Sequence, residues 1–86
     1  SRHGTVRLMT HLNDNIVQVT FDAPIAGDYA VVITNEFVNG NKAWGWTQTE
    51  SMVYDKTSVG FKIDFYAPSE KYANFDVVLN WVALPV

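Results

Sequence analysis

Near the C-terminus, Phe75, Val77, Leu79, Trp81 and Ala83 fall on one side of a period-two alternation. Asp76, Val78, Asn80 and Val82 fall on the other. Successive side chains of an extended strand point to opposite faces, so this spacing predicts a strand with one strongly apolar face. The same pattern recurs upstream. Phe61, Ile63 and Phe65 alternate with Lys62, Asp64 and Tyr66; Val17, Val19 and Phe21 with Gln18 and Thr20; Tyr29, Val31 and Ile33 with Ala30, Val32 and Thr34. Residues 5–10, 43–48 and 49–54 form weaker strand candidates, rich in the aromatic, Val and Thr residues that suit a pleated surface.

Turn chemistry separates these runs. Asn13-Asp14-Asn15 is expected to close a short connection after Leu12, and Asp22-Ala23-Pro24 with Gly27-Asp28 a longer one. Asn39-Gly40-Asn41 carries the strongest hairpin signal, because Asn and Gly tolerate positive φ. Residues 55–60 read as a turn ending in Gly, and residues 67–74 as a loop opened by Pro68 with room for one helical turn at most. Short strands at nearly regular spacing predict an all-β fold: a six- to seven-stranded antiparallel β-sandwich.

At 86 residues the chain makes one domain, 1–86, since a second would leave neither half a core. The first 14 residues either join the sandwich or continue from a preceding segment. Opening on Ser1 rather than Met suggests a piece excised from something longer. Six Lys+Arg stand against nine Asp+Glu, so the chain lacks the basic excess that nucleic-acid binding needs. No apolar run approaches the roughly 18 residues of a membrane-spanning helix. With no cysteine there are no disulfides, thiolate metal sites or cysteine nucleophiles, and self-association becomes a natural source of stability.

Catalytic chemistry is poorly supported. The carboxylates, from Asp14 and Asp22 to Asp64 and Asp76, read as solvated turn or outward-strand positions, and no nucleophile elbow or phosphate loop is present. His3 and His11 flank a predicted strand, too far apart to chelate one ion within a chain, and no metal or other cofactor is expected. The aromatics offer more. Planar rings stack on the C–H faces of sugars, while Asn and Gln side chains pair with hydroxyls. Trp44, Tyr66 and Tyr72 are candidates for stacking and Asn39, Asn41 and Gln48 for hydroxyl recognition, with Asn35 on the same rim. Trp44 and Trp46 equally suit a core or subunit contact, and Trp81 is assigned to the core.

The order of segments carries a resemblance. A strand ending in Phe (Val17–Phe21) is followed by a loop holding Pro24 and a second strand (Tyr29–Thr34). After a variable hairpin come the run Thr57-Ser58-Val59-Gly60-Phe61-Lys62-Ile63 and a closing strand with Trp81-Val82-Ala83. This order, over roughly residues 15–84, resembles the H-type lectin fold, and more closely the C-terminal knob domains of phage and pyocin tail fibres. The resemblance implies a six-stranded sandwich, a parallel homotrimer, and recognition of a bacterial surface polysaccharide at the exposed end of an extracellular virion fibre, without enzymatic activity. It also implies an aromatic at the end of the Gly-Phe strand, where Phe65 and Tyr66 stand. The arginine that H-type lectins carry before the Gly-Phe turn is absent; Thr47, Gln48 and Thr49 occupy that neighbourhood. Two alternatives stay open: a structural trimerisation or connector domain that binds nothing, and a secreted H-type lectin.

Overall fold

The computed structural model describes residues 2–38, 51–67 and 74–86. Among these, alternation becomes strand wherever an apolar side can be buried: β1 (His3–Met9), β2 (Asn13–Thr20), β3 (Tyr29–Phe37), β4 (Ser51–Thr57), β5 (Gly60–Ala67) and β6 (Asp76–Pro85). They form two three-stranded antiparallel sheets, ordered β1-β6-β3 and β2-β5-β4. Among the described strands, β4 and β5 are consecutive and paired in one sheet, whereas β1 and β2, β2 and β3, β3 and β4, and β5 and β6 lie in different sheets.

The inward residues of both sheets share one core. β6 contributes Val77, Leu79, Trp81 and Ala83, β5 contributes Phe61, Ile63, Phe65 and Ala67, and β2 contributes Val19. Phe21, Ile25 and Tyr29 close one end. There the rings meet across the sheets: Phe61 and Trp81 lie edge to face with centroids 5.4 Å apart, and Phe21 and Tyr29 likewise at 5.4 Å. Phe37 and Phe75, 6.0 Å apart, form a second pair outside this cluster. Edge-to-face pairs of this kind add about 0.5–1.5 kcal/mol each beyond the area they bury.

Tyr29 and Lys56 tie the sheets together through polar atoms. The Tyr29 hydroxyl reaches from β3 to the Thr57 and Gly60 carbonyls, at 2.9 and 2.8 Å. Lys56 Nζ returns from β4 to donate to the Tyr29 carbonyl at 2.7 Å and to Asp28 at 3.2 Å. Gly60 is required where β5 meets β2, because a Cβ there would fall 2.0 Å from the Val19 carbonyl oxygen.

β1 starts at His3 and β3 runs past Thr34 to Phe37, so that Asn35 lies in a strand, and two expected turns also differ from the sequence reading. Asn13-Asp14-Asn15 opens β2 rather than closing a connection. Asn13 takes the left-handed conformation (φ 71°) and ends the turn by itself. The buried Asn15 side chain then holds the preceding loop from within the strand: its amide donates to the His11 and Phe65 carbonyls, and its oxygen accepts the His11 N–H. Residues 55–60 are not all turn either. β4 continues to Thr57 through a bulge at Asp55 (φ 50°), leaving Ser58 and Val59 as the turn. The predicted hairpin at Asn39-Gly40-Asn41, the weak strand at 43–48 and most of the loop after Pro68 lie outside the described residues.

Candidate functional site

A sheet covered on one side leaves its other side to present chemistry, and pairing register decides which side chains share it. On the β2-β5-β4 sheet, three rows cross the outward face. Asp14 lies opposite Tyr66; Ile16, Asp64 and Met52 form the next row; Gln18, Lys62 and Tyr54 the one after. Ile16, Met52 and Tyr66 are 62%, 67% and 40% exposed, so an aromatic edge and two aliphatic side chains stand in solvent. They surround Asp64.

Asp14 and Asp64 are diagonal neighbours on this face. Burial raises the Asp64 pKa above the ordinary aspartate value, and hydrogen-bonding and like-charge contact with Asp14 raise it further; a backbone N–H from Asn15 pulls the other way. Asp64 Oδ1 is shut off from solvent and accepts no hydrogen bond from a described donor. Nearby, Lys62 faces Asp55 at 3.4 Å across the hairpin. Gln18, Asp55 and Lys62 line a surface groove of about 300 Å³ that runs to the β4–β5 turn. Tyr66 therefore stands beside a carboxyl pair, with a second polar group of Gln18, Lys62 and Asp55 further along the sheet.

The outward face of the β1-β6-β3 sheet is organised differently. Thr5 donates to Asn80 Oδ1 at 3.0 Å and Asn80 donates to Glu36 at 2.7 Å, linking all three strands in a row. Arg7 grips Asp76 through two nitrogens, at 3.0 and 2.6 Å. That contact raises the arginine pKa and lowers the aspartate's, each chiefly through the side-chain hydrogen bonds. Beyond this satisfied ladder, Val32, Val82 and Leu84 are exposed side by side.

Of the residues expected to recognise sugar, Tyr66 is outward and exposed as its alternation requires. Trp44, Tyr72, Asn39, Asn41 and Gln48 lie outside the described residues, as does Trp46. Asn35, expected on the same rim, is exposed near the end of β3 and lines a small cavity of about 100 Å³ with Glu36, Phe37, Phe65 and Val77. The sequence reading left Asp14 and Asp64 as solvated surface. Their 50-residue separation gives no local signal that register brings them together. Among the described residues, no three His, Asp or Glu side chains are grouped to hold a metal ion. Comparisons with family models, with curated proteins and with solved structures find no match for the chain.

Proposed function

We propose that this domain is a non-enzymatic carbohydrate-binding module, acting as a homotrimeric receptor-recognition tip of the kind carried by phage-type tail fibres, in a sandwich of the H-type lectin kind. The observation that carries the reading is Tyr66. The chain buries Phe21, Tyr29, Phe61, Phe65 and Trp81 in its core, yet holds this ring out on a sheet face. Asp14 and Asp64 beside it supply the acceptors that sugar hydroxyls need, and Ile16 and Met52 supply apolar neighbours for C–H faces. Trp44, Tyr72, Asn39, Asn41 and Gln48 extend this set in the proposal. Hydrolysis fits the same carboxylates poorly. Glycosidase carboxyl groups flank the scissile bond of a bound sugar, whereas Asp14 and Asp64 project side by side, as diagonal neighbours, from one face of a sheet.

Single sugar contacts are weak, because they replace hydrogen bonds to water. Three sites on one tip would compensate through effective concentration. A panel of bacterial surface polysaccharides tests the reading: a binder should raise the thermal midpoint of the domain with increasing concentration. A panel that leaves the midpoint unmoved argues against it. The exposed Val32, Val82 and Leu84 favour the second reading, a trimerisation or connector domain of a fibre. A sedimenting trimer that ignores every polysaccharide would support that role instead.

A further inference from the structure

Asp14 and Asp64 come from strands far apart in sequence, yet the β2–β5 register makes them diagonal neighbours on one sheet face. Neither strand brings a cation to the meeting point. Among the described residues, the charged and titratable groups around Asp64 are Asp14 on β2, Lys62 and Tyr66 on β5, and Tyr54 with the bulged Asp55 on β4. The only cation among them, Lys62, is engaged with Asp55 at 3.4 Å. The remaining neighbours across the strands, Ile16 and Met52, carry no charge. A proton on either carboxyl supplies the donor that the shielded Asp64 Oδ1 lacks.

We propose that Asp14 and Asp64 form a proton-sharing pair that makes the β2-β5-β4 sheet acid-responsive, so that taking up the shared proton stabilises the domain as pH falls toward the ordinary aspartate range. The sign follows from linkage. Asp64 holds its proton more tightly in the folded chain than an aspartate does in the unfolded one, because burial and the neighbouring Asp14 both disfavour its charged form. The stabilisation is fully present below the unfolded aspartate value and is lost as pH rises through the folded one. Binding one extra proton raises the folding equilibrium constant by up to about tenfold per pH unit within that window. The same proton removes a negative charge beside Tyr66. The inference requires no ligand, so it stands or falls independently of sugar binding.

Denaturant unfolding from about pH 8 down to about pH 4 provides the test. The wild-type domain should gain stability across the acidic part of this range more steeply than Asp64→Asn. Subtracting the two profiles removes the contributions of all other groups, including His3 and His11. Parallel profiles would overturn the proposal. Should Asp64→Asn fail to fold, carbon-13 NMR of the side-chain carboxyls in the wild-type chain decides instead. Asp64 should then titrate at higher pH than Asp28 and Asp76, and titration at or below them would overturn the proposal.

Discussion

Gly4 lies opposite Trp81 in the β1–β6 register, and a Cβ placed on it would come 2.8 Å from the indole nitrogen. The absent side chain is the space into which the ring packs against Phe21 and Phe61. Gly4→Ala should therefore displace the indole and cost about 1–3 kcal/mol in denaturant unfolding, the usual range for overpacking. A variant of wild-type stability would show that Trp81 has another way to sit. Phe61 marks the opposite limit: it is buried and in contact with Phe21, Tyr29 and Trp81. Phe61→Ala should cost about 3–5 kcal/mol. Trp81 was legible as core from sequence, since its neighbours on that face are all apolar. The need for glycine opposite it was not, because 77 positions separate the pair and only register joins them.

At the scale of elements, each sheet forms through its own backbone ladder, and Tyr29 couples one to the other. Burial raises its phenol pKa, with the proton kept on a hydroxyl that serves the Thr57 and Gly60 carbonyls. Tyr29→Phe keeps the ring in the aromatic cluster but withdraws that donor. Thermal or denaturant unfolding should show a loss of about 1–3 kcal/mol, the cost of leaving a buried acceptor unmet. The strands themselves were largely legible. β6 and β5 are apolar on one face without exception, and period two admits a single reading of them. Boundaries were harder to see where polar residues do unexpected work. Asn13-Asp14-Asn15 has turn composition, but one residue makes the turn and another anchors the loop from inside a strand. Residues 55–60 have turn composition too, and there a bulge lets pairing continue to Thr57. Of the candidate site, the outward direction of Tyr66, Asp64, Lys62 and Gln18 followed from the alternation. The placing of Asp14 beside Tyr66 and Asp64 depends on how β2 aligns with β5.

For the whole molecule, two sets of acids act in opposite directions. Asp28 is lowered, first by the Tyr29 backbone N–H and then by Lys56, and Asp76 is lowered by Arg7. Groups with depressed values stabilise the fold above the ordinary aspartate range, and that support is lost as pH falls through their folded values. Combined with the upward displacement of Asp64, this places maximum stability on the mildly acidic side of neutral, with a decline in stronger acid. Thermal unfolding across the pH range checks the shape, and a midpoint that climbs steadily into alkali would contradict it. Self-association belongs to this scale as well. Sedimentation of the isolated domain should give a species three times the 9.7 kDa chain mass, and a persistent monomer would remove the proposed trimer.

The central claim is that the core and its inter-sheet ties hold the fold while the outward face around Tyr66 does the binding. The two roles separate cleanly in a paired measurement on Tyr66→Ala, reading adsorption to bacterial cell surfaces and thermal unfolding on the same sample. The account predicts adsorption reduced by about tenfold or more, equivalent to about 1.4 kcal/mol, with a thermal midpoint close to that of the wild type. Adsorption at the wild-type level with an unchanged midpoint would contradict it.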